Sequence, residues 1–181
     1  EVTVLFSDIR GFTAMSEKMK PKEVVSTLNS YFSEMIDIIF KYDGTLDKIV
    51  GDELMVVFGA PISRVDDAER AVKTAIGMVE SLKKFNKKRI DKGKVPINAG
   101  IGINKGKVIS GNIGSKDQMD YTVIGDTVNL GARLCSFAGP LKIIISKSVK
   151  GEIGEDFKTR KLEAIKVKGK RKPVEIFKVL T

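Results

Sequence analysis

Apolar and polar positions alternate along this chain in two rhythms. Val2-Thr-Val-Leu-Phe6 is a short run of β-branched and aromatic residues and predicts a buried strand. Polar Met15 to Lys20 predicts a short helical turn. From Pro21, which suits the first residue of a helix, Val24, Leu28, Phe32, Met35 and Ile39 recur at helical spacing, with Val25, Tyr31 and Ile38 widening the stripe. Gly44 to Val50 and Leu54 to Phe58 predict two strands joined by a tight turn that holds Gly51-Asp52. Pro61 ends that run. Asp66-Asp67 then offer a cap for a helix whose core face is Ala71, Val72, Ala75, Ile76, Val79 and Leu82.

Further on, Ile97, Ala99, Ile101 and Ile103 alternate with Asn98, Gly100 and Gly102. This is strand period, and the glycines predict the close approach of a helix or a partner backbone on the opposite face. After a turn at Lys105-Gly106 come a strand from Val108 to Gly114, a polar loop or arm from Ser115 to Asp120, and an extended Tyr121 to Ile124. Gly125-Asp126-Thr127 introduces a third helix carrying Val128 to Leu134, and Leu141 to Ile145 and Val174 to Val179 read as late strands. Hairpins take the place of consecutive βαβ units. The fold class is therefore α+β, with helices packed on a mostly antiparallel sheet.

At 181 residues the chain is long enough for one domain with a proper core, residues 1–181. No apolar run approaches the roughly 20 residues needed to span a bilayer, and no signal peptide is evident. A single cysteine, Cys135, argues against a disulfide framework and fits a reducing, cytoplasmic compartment. The chain opens at Glu1 on a core strand without a methionine, so it is expected to be a piece of a longer protein with room for sensor or membrane segments elsewhere. The net charge of +9 is concentrated in Lys83 to Lys94 and Lys158 to Lys172, which leaves the remainder acidic. With no Trp and three Tyr, this is not the pattern of a specific nucleic-acid binder. The first cluster suits a solvated helix end and the second a polyphosphate.

Two aspartates stand where apolar runs break: Asp8 just past the first strand, and Asp52 at the hairpin tip. Either alone reads as an ordinary turn residue. Converging, they suit two Mg²⁺ or Mn²⁺ ions, which take their remaining ligands from water and substrate phosphates. Ile9-Arg-Gly-Phe-Thr13 follows Asp8 as a glycine-bearing turn into a helix, where backbone amides can face a polyphosphate; it lacks the spacing of a Walker A loop. Asn129 and Arg133, four apart, share one face of the third helix, margined by Leu130, Ala132 and Leu134. The chain has no histidine, and Cys135 has no evident activating partner. Metals, arginine and positioning remain, which is the pattern of phosphoryl transfer.

Phe6-Ser-Asp-Ile-Arg-Gly-Phe-Thr13, Asp47-Lys-Ile-Val-Gly-Asp52 and Tyr121-Thr-Val-Ile-Gly-Asp-Thr-Val-Asn-Leu-Gly-Ala-Arg-Leu134, in this order, resemble the signatures of class III nucleotide cyclase catalytic domains, with the likeness running from Val4 to about Val179. The resemblance implies a ferredoxin-like palm that pairs head-to-tail into a homodimer with composite sites. It implies that Asp8, Asp52 and the Ile9 carbonyl hold the two metals. Gly11, Phe12 and Thr13 would offer amides to the phosphates. Lys48 and Thr122 would read the base, Asn129 would orient the ribose, and Arg133 would stabilise charge on the α-phosphate. Lys168 would bind the terminal phosphates, with Lys170 close enough to compete. Asp8 and Asp52 of one subunit would face Lys48, Thr122, Asn129 and Arg133 of the other.

A lysine ammonium only donates, so Lys48 suits adenine N1, an acceptor, over guanine N1–H. Many adenylyl cyclases carry aspartate where Thr122 stands, and this departure is typical of the bacterial and soluble-type subgroup. ATP is thus the expected substrate. A guanylyl cyclase is one alternative. A diguanylate cyclase is another, since Gly51-Asp52-Glu53 also resembles its hairpin signature, although Val50 in place of glycine and the Asn129/Arg133 helix argue against it. A non-catalytic nucleotide-binding or dimerisation module would lack a metal aspartate or the arginine, and none is missing.

Overall fold

The computed structural model describes residues 1–181. Strand β1 (Val2–Ile9) lies at the centre of a seven-stranded sheet, between β3 (Glu53–Phe58) and β4 (Ala99–Gly106), antiparallel to both. Its position explains its composition. Val2, Val4 and Phe6 pack into one core, while Leu5 and Ile9 pack into another on the opposite face, so both faces need apolar residues. The run continues through Asp8 to Ile9, so Asp8 belongs to the last turns of the strand pairing rather than to a loop beyond it.

Helix α1 (Phe12–Ser16) starts three residues earlier than the polar pattern suggests, because half-buried Phe12 and Met15 pack against the core. Helix α2 (Pro21–Lys41) begins at Pro21, where the Glu23 carboxylate accepts the Lys20 amide at 3.1 Å. Its most buried line is Thr27, Tyr31, Met35 and Ile39. Leu28, Phe32 and Ile38 flank that line, whereas Val25 is 56% exposed and stands outside the stripe. Strand β2 (Thr45–Val50) then forms the hairpin with β3. Gly51, at φ +62°, supplies the left-handed turn residue.

Helix α3 (Asp67–Asp91) lies beside α2 on the same face of the sheet. Its entry is fixed by Asp67, not by a side-chain cap from Asp66. Asp67 Oδ2 accepts from the Arg64 amide at 3.0 Å and from Ser63 Oγ at 3.3 Å, and Oδ1 pairs with Arg70. The segment β1-α2-β2-β3-α3-β4, in sheet order β2-β3-β1-β4, is the ferredoxin-like palm.

The second half builds the other layer. Strands β5 (Ile109–Gly114) and β6 (Met119–Ile124) form a separate antiparallel arm, so the expected loop at Ser115 to Asp120 is a tight turn followed by strand. Helix α4 (Asp126–Phe137) lies across the sheet face opposite α2 and α3. Its seat is cut by glycines. A Cβ at Gly100 would stand 2.5 Å from the Ala138 carbonyl, one at Gly102 would meet the Leu134–Cys135 backbone, and one at Gly131 would stand 2.8 Å from Val4 Cγ2. Strand β7 (Ile143–Ser146) pairs parallel with β4, and short α5 (Lys147–Lys150), β8 (Thr159–Lys161) and β9 (Ile176–Val179) complete the chain, with β7-β9-β8 extending the sheet antiparallel. No helix is long and apolar enough to cross a membrane.

Candidate active site

The end of β1 and the β2–β3 turn bring Asp8 and Asp52 together. Asp8 pairs with Glu53 across the sheet and with Gly100 on the other side. Burial raises the Asp52 pKa, the Asp8 charge beside it adds to the rise, and a hydrogen bond to Asp8 adds more. Glu53 is raised by burial and then by the charges of Asp8 and Asp52. The charges of Asp8, Asp52 and Glu53 therefore act on one another at this end of the sheet, and the guanidinium of Arg10, with Nη2 at 3.2 Å from Asp8 Oδ2, is the one cation paired there. All donors are hard oxygens, and negative charge is in excess. That donor set fits small divalent cations, with charge to neutralise and no soft ligand competing.

Arg10 is a part of the site that sequence reasoning passes over. Nη2 also donates to the Cys135 carbonyl at 3.1 Å, and Nε is buried without a partner. It thereby ties the end of β1 to α4. Cys135 itself is fully buried, donates to the Gly100 carbonyl at 3.2 Å, and is pushed up to about 12, chiefly by burial. A thiol held so far from ionisation is no nucleophile.

Lys48 and Thr122, which lie far apart in sequence, meet through Asp47. Thr122 Oγ1 donates to Asp47 Oδ2 at 2.8 Å, and Lys48 Nζ lies 3.4 Å from the same oxygen. A regular strand would send Asp47 and Lys48 to opposite faces. Here the β2–β3 register shifts between Leu46 and Lys48, and Asp47 is the residue left without a partner across the ladder. The bulge lets both side chains converge on the arm carrying Thr122. The Asp47 side chain is only 6% exposed, and that of Lys48 is 39% exposed.

On α4, Asn129 is exposed and Arg133 half-buried, one turn apart. The start of the helix is held by Asn104 Nδ2 donating to the Thr127 carbonyl at 2.9 Å and by Thr127 Oγ1 donating to the Lys107 carbonyl at 2.7 Å. Arg133 Nη1 donates to the carbonyl of Lys168. Lys170 pairs with Asp126 at the beginning of α4, whereas the Lys168 ammonium has no ion pair, so of these two lysines Lys168 is the free cation. Gly11, Phe12 and Thr13 form the start of α1, where no side chain caps the amides.

Within the chain these residues form separate groups. Asp8 and Asp52 share one corner, Lys48 and Thr122 another, and Arg133 and Lys168 a third. No hydrogen bond or ion pair joins Asn129 or Arg133 to either Asp8 or Asp52. Around them lies unusual apolar exposure: Ile49 and Val50 on β2, and Ile109, Met119, Tyr121 and Ile124 on the arm, each 43% exposed or more.

Comparison with known proteins gives a consistent result. A family model described as "Adenylate and Guanylate cyclase catalytic domain" matches residues 1–180. The chain is 38% identical over 189 residues to an adenylate cyclase of Anabaena cylindrica, covering 98% of this chain and 36% of that protein. Among solved structures it superimposes on the adenylyl cyclase CyaB from P. aeruginosa with a TM-score of 0.96 at 40% identity, covering 99% of this chain and 93% of that one. The guanylyl cyclase Cya2 follows at a TM-score of 0.91 and 41% identity, with 98% and 90% covered. The chain spans about a third or less of the length of the curated relatives it matches first.

Proposed function

The chain belongs to the family of adenylate and guanylate cyclase catalytic domains, the class III nucleotide cyclases, and from that premise we propose that it converts ATP to 3′,5′-cyclic AMP and pyrophosphate. The observation that carries the choice of ATP is the pair Lys48 and Thr122, drawn together on Asp47. Lys48 presents a donor to adenine N1, where guanine would present N1–H against it. The guanylyl cyclase likeness makes GTP the second reading, and it requires Thr122 to donate to a guanine carbonyl.

In this reading Gly11, Phe12 and Thr13 bind the phosphates through backbone amides, and Lys168 binds their outer end. Asn129 holds the ribose so that its 3′-oxygen lies in line with the α-phosphorus. The O3′–Pα bond forms as the bond from Pα to the bridging oxygen of pyrophosphate breaks, and the 3′ proton passes to solvent. Arg133 stabilises the charge that collects on the α-phosphate oxygens. Two Mg²⁺ or Mn²⁺ ions, when held by Asp8, Asp52 and the Ile9 carbonyl, supply the positive charge that favours a 3′-alkoxide and the departing pyrophosphate.

Since no contact within the chain joins the aspartates to Asn129 and Arg133, we assign the working unit to a head-to-tail homodimer. Each site then combines Asp8 and Asp52 of one subunit with Lys48, Thr122, Asn129 and Arg133 of the other. The exposed apolar side chains of β2 and the arm suit such an interface. Residues 1–181 act as one catalytic domain, and use of ATP together with a free thiol suits a cytoplasmic setting.

The test is product analysis by chromatography after incubation with ATP and with GTP, in Mg²⁺ and in Mn²⁺. Cyclic AMP as the main product is expected. Cyclic GMP as the main product would move the assignment to guanylyl cyclase, and no cyclic nucleotide under any condition would refute it.

A further inference from the structure

We infer that Asp47 is a positioning residue for base selection, which it performs by fixing the direction in which the Thr122 hydroxyl donates. The inference rests on the reading of Lys48 and Thr122 as the pair that meets the base. A hydroxyl has one proton and two lone pairs, so a freely rotating threonine accepts from the adenine 6-amino group or donates to the guanine 6-oxo group with little preference. Thr122 does not rotate freely. Its proton is directed to Asp47 Oδ2 at 2.8 Å, and the residue is 6% exposed. What remains to face a ligand is the oxygen's lone pairs, an acceptor. Adenine meets it with an N–H, whereas guanine meets it with a second acceptor.

The same Asp47 oxygen lies 3.4 Å from Lys48 Nζ, so one carboxylate sets both contacts. Together they describe the Watson–Crick edge of adenine: a donor for N1 and an acceptor for the 6-amino group. The arrangement depends on the irregularity in β2. Asp47 has no cross-strand partner in the register, and its side chain is nine-tenths buried against the arm. A carboxylate in that position carries a desolvation cost that a surface aspartate avoids, and its return is orientation of two neighbouring side chains. No other acidic side chain contacts Thr122 or Lys48.

Two variants and two nucleotide analogues test this. Asp47→Asn keeps an oxygen acceptor where Oδ2 stands, and Asp47→Leu has nearly the same shape without one. The ratio of kcat/KM for ATP to that for GTP is expected to stay within about threefold of wild type in Asp47→Asn and to fall about tenfold in Asp47→Leu, the discrimination carried by one buried hydrogen bond. In a Thr122→Val background, Asp47→Leu should shift the ratio at least about threefold less than it does alone, because the part of its effect that passes through the hydroxyl is gone and only the Lys48 contact remains. An unchanged ratio in active Asp47→Leu, or an equal shift in both backgrounds, overturns the inference.

The wild-type domain gives a test that depends on no variant folding. Purine riboside triphosphate and 6-methoxypurine riboside triphosphate both leave N1 unprotonated, but only the second sets an acceptor opposite Thr122. The second should be the poorer substrate by about tenfold. Equal or better use of the 6-methoxy compound overturns the inference. Failure of the adenylyl reading itself would appear separately, as a wild-type domain that cyclises GTP as well as ATP.

Discussion

Mixing two inactive variants gives a quantitative test of how the site is assembled. Asp52→Ala removes a carboxylate from the corner shared with Asp8, and Arg133→Ala removes the guanidinium from α4. Asp52 lies in a turn, and Arg133 is half-buried with one hydrogen bond to a loop carbonyl, so both variants should fold. Each homodimer then carries two damaged sites and is expected to be inactive. In a mixed dimer both mutations fall into the same composite pocket, because Asp52 of one subunit faces Arg133 of the other. The second pocket draws Asp52 and Arg133 from the unmutated positions of each chain and is intact. Random exchange makes about half of the dimers mixed, each with one working site of two, so activity should return to about a quarter of wild type if the sites act independently. The assay is cyclic AMP formation against mixing ratio at protein concentrations above the dimer dissociation constant, with sedimentation confirming that mixed dimers form. If mixed dimers are present and the mixture stays inactive, Asp52 and Arg133 serve one chain's site and the composite assembly is wrong.

Four further outcomes follow from burial and charge. Asp52→Asn should raise the melting temperature of the metal-free domain while lowering cyclase activity by about 100-fold or more, since it relieves the crowding with Asp8 and removes a proposed metal ligand. With the folded chain keeping the Asp52 proton longer than the unfolded chain does, that residue's contribution to metal-free stability falls as pH rises above 3.8, and a thermal-shift series in pH checks the sign. Asp67→Ala should cost about 3 kcal/mol in denaturant titrations, toward the low end for breaking a buried ion pair, because Asp66 and two backbone carbonyls still hold Arg70. Cys135 should react with a thiol reagent at pH 8 at least about 100-fold more slowly in the native than in the unfolded domain, and its contribution to stability should decline as pH rises from about 9 toward about 12.

Much of this architecture is legible in the sequence, because its signals are local. The period of two in Ile97 to Ile103, with glycine at the alternate positions, announces both a strand and the close seat of a helix, and α4 lies there. The stripe from Val24 to Ile39 fixes a helix, but its centre is decided by what packs opposite, so Val25 falls outside. Strand β8 consists of Thr159-Arg-Lys161 and has no apolar alternation; pairing with β9 makes it a strand. Among the site residues, Asp8, Asp52, Lys48, Asn129 and Arg133 stand in motifs. Arg10 and Asp47 stand in the same motifs, but they act on partners 125 and 75 residues away, and no local pattern announces such contacts.

The charge distribution of the palm also bears on the proposed division of the site between two chains. Asp8, Asp52 and Glu53 crowd a corner whose one paired cation, Arg10, is held from behind by the Cys135 carbonyl of α4. Alone, that corner is an electrostatic liability, with burial and mutual repulsion pushing two of its carboxyls toward protonation. Further positive charge, from cations and, in the proposed dimer, from Arg133 and Lys168 of the other subunit, would oppose that rise and favour their ionised forms. The cationic half-site is equally unfinished, with the Lys168 ammonium unpaired and Arg133 bound only to a carbonyl. Each surface is thus poorly satisfied by its own chain and opposite in charge to the one it would meet in the proposed dimer. Dimerisation, metal binding and nucleotide binding should therefore reinforce one another, with each removing part of the charge imbalance that opposes the rest.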